Sequence, residues 1–207
     1  MIPIEPEALR LPGPVGELEA VLEAPAAPRA IAVVCHPHPL AGGTLHNKVV
    51  HTLARTLQEL DHATLRFNYR GVGASAGSYG ESIGETDDAI AAVAWLRARH
   101  PRLPLTLAGF SFGGVVALRA SVPLRPERLI TVAPAVDRLP ADLPPPGCPW
   151  LLVQGEADDV VNPHRVRDWA AQFDPPPRLQ LMPEVGHFFH GALNQLRDVV
   201  RAWFQAP

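Results

Sequence analysis

Ser111 stands between two phenylalanines in "LAGFSFGGVV", with Gly109 two residues before it and Gly113 two residues after. A hydroxyl fenced by residues without side chains suits a nucleophilic serine on a sharp turn from strand to helix, where the turn lifts the side chain above the sheet edge. The pattern G-x-S-x-G does not decide the matter, because "GASAG" at 73–77 matches it equally well. Context separates the two. Ser111 follows directly on the β-type run "PLTLA" and leads directly into the helical run "GGVVALRA". Ser75 lies several residues past its strand and continues into "GSYGES", which is loop chemistry.

A serine hydroxyl is a weak nucleophile at neutral pH and needs a base within hydrogen-bond reach, held in turn by a third group. Two further segments offer these partners, each at the end of a β-type run. "EADD" follows "PWLLVQG", and "PEVGHFFH" follows "RLQLM". In a parallel sheet the carboxyl ends of all strands open on one rim, so Ser111, an aspartate of the first segment and His187 of the second can meet there. Their order along the chain, Ser then Asp then His, is the one this geometry produces.

The elements that must position these groups alternate from residue 29 onward, which predicts βαβ units and an α/β fold with a mostly parallel sheet of about 6–8 strands and helices on both faces. "AIAVVC" at 30–35 and "ATLRFN" at 63–68 read as strands, joined by a helix in "NKVVHTLARTLQEL" whose Val49, Val50, Leu53, Leu57 and Leu60 share a face. A Gly/Ser-rich loop over 71–84 precedes a helix near 85–99. Further strands are expected at 128–133, "PWLLVQG" and "RLQLM", and a last helix in "GALNQLRDVVRAWF" with Leu193, Leu196, Val199, Val200 and Trp203 inward. "GELEAVLEA" suits an antiparallel edge strand.

Bulk properties narrow the class. At 207 residues one domain spanning 1–207 is expected. The net charge of −3, without long runs of either sign, argues against nucleic acid or an anionic membrane as partner. Two cysteines, Cys35 and Cys148, make no disulfide framework, and "MIPIEPEALRLPG" has no basic start or apolar core of a signal, so a cytoplasmic protein is expected. No apolar run nears the roughly 20 residues of a membrane span. The 24 prolines cluster in turns such as "LPPPG" and "DPPP". His36, His38, His46 and His51 could suggest a metal, but there is no HExxH, and the nearby acidic residues Glu59 and Asp61 lie beyond the helix. No phosphate loop or dinucleotide fingerprint is present, so no cofactor and no metal are expected.

Taken together, "GFSFG", "EADD", "GH" and "CHPHPLAGGTLHNKVV" resemble the α/β-hydrolase superfamily over nearly the whole chain, and within it the small, cap-less branch of dienelactone-hydrolase-like and esterase-like proteins. The resemblance implies the catalytic set. The "G-x-x-D" pattern selects Asp158 over Asp159, "GH" before a final helix selects His187, and "FNYRGVGAS" resembles the "RGxGxS" loop, which makes Ser75 a structural feature.

Acyl transfer also needs donors for the oxyanion. The N–H of Phe112, the residue after the nucleophile, supplies one. Pro37 and Pro39 have no N–H to give, which leaves His38 or Leu40 for the second, and the likeness to "HGxP" points to the His38 amide. His36 reads as a brace for this loop. A shallow pocket lined by Leu40, Phe110, Phe112, Phe188 and loop 71–84 is expected, since the stretch between the strands at 128–133 and 149–155 is too short for a cap. The implied activity is hydrolysis of small ester or thioester substrates through an acyl-enzyme, by a monomer or small homo-oligomer. An acyltransferase or peptidase using the same residues, and a non-catalytic binding module on this scaffold, are the alternatives.

Overall fold

The computed structural model describes residues 4–206. Eight strands form one sheet: β1 (Glu7–Gly13), β2 (Gly16–Glu23), β3 (Ala30–Cys35), β4 (His62–Phe67), β5 (Leu105–Phe110), β6 (Arg128–Val132), β7 (Trp150–Gly155) and β8 (Arg178–Met182), in the order β1-β2-β4-β3-β5-β6-β7-β8. β1 and β2 form an antiparallel hairpin, β2 runs antiparallel to β4, and every pairing from β4 through to β8 is parallel.

β3, β4, β5 and β7 are buried along their whole length, as expected of strands covered on both faces. Alternate residues of one strand therefore feed two different cores. Ile31, Val33 and Cys35 of β3 belong to the core layer shared with α2 (Ile83–Arg99), α3 (Phe112–Leu124) and α4 (Pro163–Ala170), which contribute Ala89, Val93, Val116 and Val166. Ala32 and Val34 belong to the layer shared with α1 (Lys48–Gln58) and α5 (Leu193–Gln205), which contribute Val50, Leu53, Leu196 and Val200. The period-two alternation of the strand and the 3.6-residue period of the helices meet on these two layers. In α5, Leu196, Val200 and Trp203 are buried, and Leu193 and Val199 pack against them half-buried.

Asn47 caps α1 by accepting the Val49 and Val50 N–H groups, and Asn162 does the same for α4 ahead of Pro163. The helix expected near 85 begins two residues earlier, at Ile83. The carboxylate of buried Glu85 turns back to accept the Gly80 and Ser82 N–H groups and so ties down the end of the glycine-rich loop. The first strand, β1, has no counterpart in the sequence reading. Leu11 is its one fully buried residue, so its apolar alternation is too faint to register.

β3 lies between β4 and β5 and pairs with both, so the chain reverses its direction of travel across the sheet there. At such a switch point the loops leaving neighbouring strands diverge and open a crevice at the carboxyl rim. The loop after β3 and the turn after β5 thus flank one cleft. A Cβ on Gly113, in the first turn of α3, would strike the carbonyls of Cys35 and His36, and one on Gly109 would strike Gly113. Between β6 and β7 the chain forms only the short 3-10 turn Val136–Arg138 over the rim, so no cap is built there.

Gly113→Ala should therefore cost about 1–3 kcal/mol, because backbone and not a flexible side chain must yield. Urea denaturation of the two proteins measures it, and an unchanged midpoint would contradict the packing described.

Candidate active site

Ser111 occupies the turn between β5 and α3 with φ 56° and ψ −117°, a region that residues with a Cβ rarely enter. The surroundings hold it there. Its N–H donates to the Val132 carbonyl at 2.9 Å, and its own carbonyl accepts from Gly114 at 2.9 Å and from Ala135 at 3.3 Å. The hydroxyl is thereby presented at the carboxyl rim beside two other strand ends.

From the β8 end, the turn at 183–184 leads to His187, and its Nε2 lies 3.0 Å from Ser111 Oγ. From the β7 end comes Asp158, whose Oδ2 lies 2.8 Å from His187 Nδ1. A carboxylate only accepts, so Nδ1 carries the proton and Nε2 is left to accept from the serine. Asp158 is itself surrounded by donors: Oδ1 takes the Val160 and Val161 N–H groups at 2.9 and 2.7 Å, and Oδ2 also takes the Gln154 amide at 3.0 Å. Burial pushes its carboxyl up, but the His187 bond, the two backbone N–H groups and the attraction of His187 outweigh it and hold the group below its ordinary value. Asp158 stays ionised beneath a cover that leaves its side chain no exposed surface. Gln154 was not singled out in the sequence. Its signal was its place as the last residue but one of β7, four before Asp158.

The loop after β3 supplies the facing wall. His36 is buried, with Nδ1 donating to the Pro37 carbonyl at 2.7 Å and Nε2 accepting the Tyr69 N–H at 3.2 Å. Burial lowers its pKa to about 3, so it is a neutral strut between the two loops. His38 follows, its ring centroid 4.8 Å from that of Phe112. Among the described residues the N–H groups of His38 and Phe112 make no hydrogen bond, whereas the Leu40 N–H is engaged by the His38 ring. Two free backbone donors thus flank a serine that is hydrogen-bonded to an imidazole.

The sequence matches the model of Hydrolase_4, described as serine aminopeptidase S33, over residues 26–146, more than half of the chain. The chain belongs to this serine hydrolase family. It is similar to an α/β serine hydrolase without lid from Xanthomonas campestris, at 44% identity and a TM-score of 0.91, covering 100% of this chain and 99% of that one. A serine hydrolase homologue from Coxiella burnetii matches at 40% identity and a TM-score of 0.89, over 93% and 94% of the two chains. An uncharacterised protein of Rickettsia prowazekii is 37% identical over 164 residues, 75% of this chain and 68% of its own length. The protein is a cap-less member of the α/β-hydrolase superfamily.

As befits a hydrolase without a lid, Leu40 and Phe188 stand open at the rim, 73% and 54% exposed. Phe110 does not line a pocket. It is fully buried in the core, 5.1 Å from the His187 ring and 6.4 Å from Phe189, because it is the last residue of β5 and its side chain points into the layer beneath the rim. It supports the imidazole from below. The Phe112 ring is likewise buried, against Tyr69 and Tyr79, so its backbone alone faces the cleft. A cavity of about 570 Å³, lined by Cys148, Trp150, Arg178 and Trp203, sits at the amino ends of β7 and β8, on the rim away from Ser111. No helix among the described residues is long and apolar enough to cross a membrane.

The second serine has a different task. Ser75 Oγ donates to the Asn68 carbonyl at 2.8 Å and accepts the Glu19 N–H at 2.9 Å, pinning the glycine-rich loop to β2. Ser75→Ala should lower stability by about 1–3 kcal/mol through the orphaned Glu19 donor while leaving the cleft at Ser111 intact. Thermal unfolding checks the first effect and labelling of Ser111 by a fluorophosphonate the second.

Proposed function

We propose that the protein is a serine hydrolase that cleaves carboxylic ester or thioester bonds of small, short-chain substrates. The observation that carries this reading is the unbroken chain from Ser111 Oγ through His187 to Asp158, at 3.0 and 2.8 Å, on a strained strand-to-helix turn. Ser111 Oγ attacks the carbonyl carbon while His187 Nε2 takes its proton. The tetrahedral oxyanion receives the N–H groups of Phe112 and His38. Collapse expels the alcohol or thiol, protonated by His187, and leaves an acyl-serine. Water, deprotonated by His187, releases the acid and restores the hydroxyl. Asp158 stays ionised throughout, holding the Nδ1 proton and stabilising the imidazolium. Membership of a hydrolase family supports hydrolysis over a binding role. The open rim with Leu40 and Phe188 suits small substrates reached directly from water, and we place the enzyme in the cytoplasm as one domain, monomeric or a small homo-oligomer, without a nucleic-acid or membrane partner.

The family description favours a second reading, cleavage of amino-terminal residues from peptides. An aminopeptidase must hold an α-ammonium near the cleft. Here the cation Arg138 lies near His38 and Tyr79, and the nearby carboxylate of Glu85 is already taken by two backbone N–H groups. That charge pattern suits an ester better than a free amino terminus.

A panel of short 4-nitrophenyl esters, acyl thioesters and aminoacyl 4-nitroanilides separates the readings. Short esters or thioesters should be turned over fastest. Ser111→Ala should lower kcat at least about 10⁴-fold and abolish fluorophosphonate labelling, and Asp158→Asn should lower kcat about 10³- to 10⁴-fold. Preference for the anilides would establish the peptidase, and labelling that survives Ser111→Ala would sink both.

A further inference from the structure

Acyl transfer at Ser111 uses only the main chain of His38, yet the His38 side chain is fully engaged. Its Nδ1 accepts the Leu40 N–H at 3.2 Å and so caps the single 3-10 turn Pro39–Ala41. Nε2 faces the Tyr79 hydroxyl at 3.4 Å, and the ring leans on those of Tyr79 and Phe112 at 5.3 and 4.8 Å. Because Pro37 and Pro39 have no N–H, few bonds can fix the path of this loop. The Pro37 carbonyl accepts from His36 Nδ1 at 2.7 Å and the Pro39 carbonyl from Gly42 at 3.2 Å, and three more bonds converge on one residue: the His38 carbonyl accepts from Ala41 and from Gly43, each at 3.0 Å, and the ring takes Leu40. An acceptor at Nδ1 exists only in the neutral imidazole, with the proton on Nε2 toward Tyr79.

We propose that the His38 imidazole is a positioning residue for the oxyanion hole: by accepting the Leu40 N–H it holds the His38 peptide with its own N–H directed into the cleft, and its protonation loosens that hold. The inference rests on the hydrolase reading and adds a pH-sensitive control to that site. Uptake of a proton converts Nδ1 from acceptor to donor, and two donors then face each other across the capping bond. The groups around the ring set when this happens. Burial comes first and Arg138 second in disfavouring the cation, Glu85 opposes them, and the net effect is a pKa below the ordinary histidine value. Tyr79, whose own pKa is raised by burial, faces the ring as a neutral phenol. The capping bond is therefore intact at neutral pH and is lost as the pH falls through the lowered value, with the hole weakening in that direction.

The test compares wild type with His38→Asn, His38→Gln and His38→Ala in 4-nitrophenyl butyrate hydrolysis across pH, alongside fluorophosphonate labelling of Ser111 and thermal unfolding. Asn places an acceptor that does not titrate where Nδ1 stands and is a good cap residue. Gln reaches toward Tyr79 instead. We expect His38→Ala and His38→Gln to lose about tenfold in kcat with KM within about twofold, a fraction of the loss from deleting a whole oxyanion donor. His38→Asn should recover most of that loss and fall less steeply than wild type on the acid side. A merely structural role would not produce the split between kcat and KM or the altered acid limb. Wild-type kcat in His38→Ala, loss in His38→Asn equal to that in His38→Ala, or superimposable acid limbs of wild type and His38→Asn would each overturn the inference while ester turnover and labelling stand. A wild type that neither labels at Ser111 nor turns over the ester would remove the hydrolase reading, and this inference with it.

Discussion

The close approach of Gly113 to the Cys35 and His36 carbonyls is the constraint on which the rim depends. It is a contact made possible by a missing atom. With no Cβ in the way, the first turn of α3 packs directly on the end of β3, and the loop that follows β3 is brought against the turn that carries Ser111. A gap wider by one methyl group would move the free His38 amide away from that of Phe112, and these are the two donors proposed for the oxyanion, which must converge within hydrogen-bond distance of one point. The strain at Ser111 is sustained by the same packing, because three backbone hydrogen bonds from β6, α3 and the turn after β6 over-determine its conformation.

Around that contact the polar groups divide into those that must stay neutral and one that must stay charged. His36 is sealed in the core with both nitrogens occupied and ionises only near pH 3, so it can brace two loops without bringing a charge under the cleft. Asp158 is also buried but accepts four hydrogen bonds, and these make its anion the stable form. Burial raises the free energy of both charged forms. Donors rescue the carboxylate, and nothing comparable rescues an imidazolium at position 36. The wall behind the proposed base is apolar: Phe110, itself backed by Phe189, lies against the His187 ring.

Two matches to one five-residue pattern show where a motif stops carrying information. "GFSFG" and "GASAG" are equivalent as strings, and the structure gives them opposite roles, one hydroxyl offered to an imidazole and the other consumed by the backbone of β2 and of the segment after β4. What distinguished them in the sequence was the flanking periodicity, strand directly before and helix directly after, because that context generates the turn. Phe110 marks the opposite failure. Its place beside the nucleophile suggests a pocket residue, yet as the last residue of β5 its ring packs with Ala108 and Val132 in the layer beneath the rim, while Ser111, on the turn, offers its hydroxyl to His187. Gln154, a buried amide at a strand end, carries no sequence pattern of its own.

The sequence by itself determined the alternation of strands and helices, the one serine placed to sit on a sharp turn, and the chain order of its two partners. These are local properties, written in side-chain periodicity and in glycines at fixed offsets. Only the tertiary structure decided which face each ring occupies, that the amides of His38 and Phe112 are left free, and that β1 extends the sheet, paired along β2 with Leu11 buried and Leu9 half-buried. Those outcomes follow from packing between segments far apart in the chain, where the fit of one backbone against another settles what neighbouring letters leave open.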